Sequence, residues 1–149
     1  MRKLLAASLC ALTLAAPGVS FADEGWQYAY IDGVATATQR DDRNRVTATF
    51  TCRPPEGAII VTDYTLARAG RRANVAAVGI GVMTVNVPME ISGRGRNAAV
   101  TINLPQRPPI LAAVQPTDRV SVTVNGQTHT YLAGSAQKMK EVAYACWGS

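Results

Sequence analysis

The sequence predicts a mainly β domain, an antiparallel β-sandwich or flattened barrel with one C-terminal α-helix. Three observations carry this. Residues 45–52 and 119–124 alternate apolar and polar side chains at the period of two that a half-buried strand requires. Asn125-Gly126 separates two strand-like runs and suits a two-residue type I′ turn, because both residues tolerate positive φ. From Ser135 to Cys146 the apolar period changes to that of a helix.

The chain opens with Arg2 and Lys3, an apolar run from Leu4 to Ala16, and small residues at Ser20 and Ala22. That order predicts a secretory signal peptide over residues 1–22, cut before Asp23. The apolar run of about 13 residues is short of the roughly 20 that span a bilayer. Leu9 is bulky where a lipoprotein leader needs a small residue before its cysteine, so Cys10 is not read as a lipid site. The protein is therefore expected in the periplasm or outside the cell. Residues 23–149 suit one domain with one core, and no later segment is apolar for long enough to cross a membrane.

Taken in order, Trp26–Gln39 reads as one or two strands broken at Asp32-Gly33. In the next strand Val46, Ala48, Phe50 and Cys52 face one way, and Thr47, Thr49 and Thr51 the other. Gly57–Leu66 follows Pro54-Pro55 and carries Ile59, Ile60, Val61 and Tyr64. Gly79-Ile80-Gly81 lacks the third glycine and the helix of a dinucleotide loop, and predicts a twisted or bulged strand. Val82–Ile91 is β-branched, with Pro88 pointing to an edge or a strand end. Ala98–Leu104 alternates again, and Ile110–Val114 is a short apolar run. The Asn125-Gly126 turn pairs Val124 with Gln127, Val122 with His129 and Val120 with Tyr131. It places the sole histidine on the valine face. Gly134-Ser135 supplies a stop and an N-cap for the final helix. Ala136, Met139, Val142, Ala143 and Cys146 form its apolar stripe.

Cys52 and Cys146 remain once Cys10 leaves with the leader, and an oxidising compartment pairs them. Both lie on apolar faces, so a bridge would pin the helix to the sheet. Their separation and the lack of a C-x-x-C arrangement argue for a structural bridge over a redox pair.

Losing Arg2 and Lys3 lowers the net charge from +5 to +3, a mild basicity carried mostly by arginine. Arg68, Arg71 and Arg72 cluster, as do Arg94 and Arg96. They are the candidate binding residues for an anionic partner such as lipid A, peptidoglycan or an acidic protein; solvated loop arginines are the plainer reading. Few aromatics accompany them, which argues against nucleic acid.

Catalytic and metal-binding patterns are sparse. Met83, Met89, Met139 and His129 could make a soft metal site, but their spacing fits no motif and core methionines explain them. No cofactor is expected. Ser135-Ala136-Gln137-Lys138 matches the S-x-x-K of serine acyl-enzymes, without the S-D-N or K-T-G partners, and helix capping accounts for Ser135. No motif ties a nucleophile to His129, which reads as a packed, hydrogen-bonded residue.

Trp26, the strand end Phe50-Thr51-Cys52, the Val120-Ser121-Val122-Thr123-Val124 strand, and Leu132-Ala133-Gly134-Ser135 running to Ala145-Cys146 occur in a familiar order. In this the chain resembles small periplasmic proteins of the invasion-associated locus B type and related type VI secretion-associated proteins. The resemblance implies a non-enzymatic β-sandwich with an accessory or envelope-interaction role. It transfers no binding residues, because the matched positions are structural. The expected function is therefore a non-catalytic exported protein that binds another protein or an envelope component. One rival is an inhibitor of a periplasmic or host hydrolase, presenting the Pro105–Pro109 loop. Another is a small enzyme using His129 or Ser135.

Expression with the leader intact should yield exported protein whose mass corresponds to a start at Asp23. Intact-mass spectrometry checks this, and a mass retaining Met1, or a lipid on Cys10, would contradict it.

Overall fold

The alternating runs form nine strands. They are β1 (Trp26–Ile31), β2 (Val34–Arg40), β3 (Val46–Cys52), β4 (Ile59–Asp63), β5 (Val75–Ile80), β6 (Met83–Ser92), β7 (Ala99–Leu104), β8 (Val120–Val124) and β9 (Gln127–Thr130). A one-turn helix, α1 (Ala67–Gly70), follows β4, and α2 (Ser135–Trp147) ends the chain. The computed structural model describes residues 25–55 and 57–147; the leader, its cleavage position and Cys10 lie outside the described residues.

All neighbouring strands pair antiparallel in one curled sheet, in the order β1-β2-β3-β4-β7-β6-β5-β8-β9. Its hairpins follow from local chemistry. Asp32 and Gly33 both take positive φ between β1 and β2, as do Asn125 and Gly126 between β8 and β9. The second hairpin keeps the register read from its turn: Val124 faces Gln127 and Val122 faces His129. The Tyr131 N–H continues it by donating to the Val120 carbonyl at 2.9 Å.

The curl is set by β6. Met83–Pro88 pairs with β5, and Met89–Ser92 then pairs with β7. Pro88 is thus not on an edge. It sits inside an inner strand, at the changeover between partners, and the next amide, Met89 N–H, donates to the Asn74 carbonyl at 2.9 Å. Nor is there a bulge at Gly79. The β5 register runs through it unbroken on both sides. A Cβ there would come within 2.6 Å of the Ser121 hydroxyl on β8, which would have to rotate away.

The buried face is apolar, with Ala35, Ala37, Phe50, Val61, Val78, Ile102, Val120 and Val122 fully or almost fully removed from solvent. Trp26 stacks on Phe50 with ring centroids 4.7 Å apart, and Tyr131 packs edge-on against Trp26 at 6.2 Å. Across the first strands lies α2, burying Ala136, Met139, Val142 and Ala143, the stripe expected from the sequence. A disulfide joins Cys146 of α2 to Cys52 of β3, with Cα atoms 6.1 Å apart.

Ser135 does not cap this helix. It is the first helical residue, and the Lys138 N–H bonds the Gly134 carbonyl instead. The Ser135 hydroxyl is buried and accepts the Val120 N–H at 2.9 Å. A buried strand amide left without a partner costs more than a helix end that water can reach, so the tertiary contact wins over the local one.

Replacing Cys146 with Ser should lower stability by about 2–5 kcal/mol, because the bridge closes most of the chain into one loop. Urea unfolding of oxidised wild type against Cys146→Ser measures this. Equal midpoints would mean that the bridge contributes nothing to docking α2.

Candidate anion-binding site

Asp63 ends β4 with its side chain fully buried. A buried carboxylate must be hydrogen-bonded on both oxygens. Oδ1 accepts the Thr65 N–H at 2.7 Å, the Thr65 hydroxyl at 2.7 Å and the Leu66 N–H at 3.0 Å. Oδ2 faces His129 Nδ1 at 2.7 Å, from the far end of the sheet order. The resulting Asx-type turn reverses the chain directly after β4 and launches α1.

Burial alone would raise the Asp63 pKa. The His129 hydrogen bond and the Thr65 bonds, helped by the charge of His129, outweigh it and hold the carboxyl below its usual value. Tyr131, also buried, packs edge-on against the imidazole at 4.8 Å. Its phenol pKa is pushed well up by burial and, secondarily, by the nearby Asp63 charge. Even so, the Tyr131 hydroxyl makes no hydrogen bond of good geometry among the described residues.

This cluster places Asp63, His129 and a threonine hydroxyl together, but not in the order that nucleophilic catalysis uses. There the histidine holds the acid with one ring nitrogen and the nucleophile with the other. Here the Thr65 hydroxyl proton goes to Asp63, and Thr65 Oγ1 lies 3.0 Å from the same Nδ1 that faces the carboxylate. Ser135, the other residue considered for catalysis, has its hydroxyl taken by β8, while Lys138 pairs with Glu141 at 3.0 Å.

The turn held by Asp63 delivers a different kind of site. Arg68 and Arg71 leave α1 and its C-terminal residue, and Arg96 leaves a 3-10 turn, Gly95–Asn97, between β6 and β7. With Tyr64, Thr65, Ala67, Gly95 and Ala98 they line one recess of about 470 Å³. No carboxylate lines it, and none of the three arginines has an ion-pair partner among the described residues. α1 can lie this flat because residue 70 is glycine. A Cβ there would come within 2.6 Å of Ile91 and 2.9 Å of Val100. Arg72 and Arg94 are exposed but outside the lining, so the five candidate arginines divide into three that share a recess and two that flank it.

A second recess of about 660 Å³ shares Tyr64, Thr65 and Arg96 with the first. Arg40, Asp41, Arg45, Val46, Asn97 and three further threonines complete it. Its one carboxylate, Asp41, is already taken: it accepts from the Arg45 backbone and side chain, with Nη2 to Oδ2 at 2.7 Å, and those bonds lower its pKa.

No family model, curated protein or solved structure matches this chain. The described residues hold no group of three or more metal-ligating side chains, and no helix among them is long and apolar enough to cross a membrane. The loop considered for inhibition is only partly free. Pro105, Gln106 and Arg107 are exposed, but Pro108 is buried, and Arg107 reaches the Trp147 carbonyl at the end of α2 at 3.4 Å.

Sequence reasoning missed Asp63 and Thr65. A lone acid at a strand end carries no signal of burial, and its histidine partner is 66 residues away.

Asp63→Asn should cost about 1.5–3 kcal/mol near pH 5. Because the folded carboxyl has the lowered pKa, its contribution is complete above the unfolded value of about 4 and fades as pH falls through the folded value. The gap between wild type and variant, measured by urea unfolding from pH 5 to pH 2, should therefore close toward acid. A gap independent of pH would contradict an ionised, hydrogen-bonded Asp63.

Proposed function

We propose that this chain is a non-catalytic, exported accessory protein that holds an anionic component of the cell envelope in the recess of Arg68, Arg71 and Arg96. The observation that carries the reading is three arginines, from two separate turns, lining one recess that no carboxylate lines. Like charges repel, and such a cluster gains most from an anion that accepts several planar, charge-assisted hydrogen bonds at once. The disulfide and the absence of a membrane-spanning helix among the described residues are compatible with export, and the leader read at the N-terminus supports a periplasmic or secreted location.

A surface of this kind binds by charge and shape. The rigid elements beneath it, β4, β6 and β7, hold the turns that carry the arginines. The His129–Asp63 pair then serves as the fastening behind the site. His129→Ala should leave partner capture intact in protein that remains folded.

Arg71→Glu and Arg96→Glu should each weaken binding of polyphosphate, a simple polyanion, by about tenfold or more, equivalent to about 1.4 kcal/mol. Arg72→Glu and Arg94→Glu, outside the recess, should change it by less than about threefold, as expected for screened surface charges. Titration calorimetry at two salt concentrations measures all four. Equal losses from all four would reduce the recess to diffuse charge, and loss of binding by folded His129→Ala with the arginine variants unaffected would move the site to the hairpin.

A further inference from the structure

We infer that the ligand of this site is an acidic saccharide chain, lying from the arginine recess across Tyr64 into the second recess. This rests on the anion-binding reading and adds the chemical class of the ligand.

The two recesses are not separate sites. They meet along Tyr64, Thr65 and Arg96, which line both. A single inorganic anion needs only the first. A ligand that fills both has to suit two different linings.

The second lining is rich in neutral hydrogen-bonding groups. Thr38 and Thr49 bring hydroxyls and Asn97 an amide, while the Thr47 and Thr65 hydroxyls are already engaged by Gln39 and Asp63; beside these neutral groups stands Arg40, a guanidinium whose only partner among the described residues is the Asn44 carbonyl, at 3.0 Å. A hydroxyl both donates and accepts, which matches the hydroxyls of a sugar and is wasted on a bare polyanion, which only accepts.

Register extends this lining into an array. Thr38 faces Thr49, Thr49 faces Thr62, and Thr62 faces Thr101, so four threonines stand abreast on β2, β3, β4 and β7. All four are partly exposed, on the face opposite Ala37, Phe50 and Val61. Adjacent strands lie about 4.8 Å apart. The row therefore repeats hydroxyls at a spacing close to the length of one sugar residue.

Tyr64 stands at the junction with its side chain substantially exposed. An aromatic ring there offers an apolar face for the C–H face of a pyranose, a contact that phosphate or sulfate cannot use. The lining thus orders the ligand: charged substituents on Arg68, Arg71 and Arg96, a ring against Tyr64, and neutral hydroxyls over the threonines.

The test compares three ligands in titration calorimetry at fixed salt: a sulfated oligosaccharide, polyphosphate of matched charge, and the unsulfated oligosaccharide. Wild type should bind the sulfated oligosaccharide about tenfold more tightly than polyphosphate, and the unsulfated one weakly or not at all. Thr49→Val, which lies outside the arginine recess, should weaken sulfated-oligosaccharide binding by about fivefold and leave polyphosphate unchanged, and Tyr64→Ala, at the junction, should weaken the sulfated oligosaccharide by about fivefold more than it weakens polyphosphate. Thr49→Val keeps the β-branched shape, so folding is retained and circular dichroism verifies it. Arg71→Glu should weaken both anionic ligands. Equal affinity for the two, with Tyr64→Ala and Thr49→Val silent, would overturn the saccharide inference and leave the anion site standing. Binding of neither, or binding indifferent to Arg71→Glu, would overturn the anion-binding reading itself.

Discussion

A buried carboxylate governs how this sheet closes. Asp63 has no water to turn to, so both oxygens must find donors inside the protein. The chain just after β4 supplies three of them, and the fourth arrives from β9. Since β4 and β9 lie far apart in the strand order, the bond to His129 exists only when the sheet has curled enough to bring them together. Two more buried polar side chains, Gln39 and Ser135, act in the same way. Gln39 on β2 accepts the Leu132 N–H just beyond β9, and Ser135 at the start of α2 accepts the β8 amide of Val120. Apolar packing drives the curl without direction. These three contacts give it a fixed geometry, because a shift of register would leave each buried group unpaired.

What the sequence made legible was whatever is decided locally. The alternation of residues 45–52, the Asn125-Gly126 turn and the stripe from Ala136 to Cys146 each reflect a period or a dihedral preference that acts within a few residues, and each recurs in the structure. The pairing of Cys52 with Cys146 was legible for a different reason: two cysteines on apolar faces leave a single combination. Errors arose where a distant group competed with a local signal. Ser135 has the composition of a cap, yet β8 presents a buried amide and takes its hydroxyl. Pro88 has the composition of an edge, yet it lies at a changeover of partners, where a missing N–H disturbs no ladder.

The candidate site was half legible by the same rule. Composition showed the arginines as two runs along the chain. Which of them share a surface depends on how α1 and the Gly95–Asn97 turn are placed, and that is set by tertiary contacts. Gly70 allows α1 to rest against Ile91 and Val100, and Asp63 fixes the turn that precedes it. Arg68 and Arg71 are thereby brought beside Arg96, while Arg72, next in sequence to Arg71, falls outside the recess. No rule of spacing separates neighbours in this way, since α1 is a single turn and its orientation on the sheet decides the outcome.

The energetic position of these arginines bears on why they are there. α1 is fastened by Leu66, Ala69 and Gly70, which are buried, whereas Arg68 and Arg71 are exposed. Packing therefore does not require a guanidinium at either position. Bringing a third one close by costs some repulsion, which solvent and salt reduce but do not abolish. In the neighbouring recess the sequence does supply a counter-charge, with Asp41 held on Arg45. The counter-charge there is partial, one Asp41 against Arg40, Arg45 and Arg96, whereas the recess of Arg68, Arg71 and Arg96 has none, so the outward field is strongest on that side. On the proposed reading, the outward field draws in the acidic group, and the partly compensated recess beside it, with its threonines, receives the remainder of the same molecule.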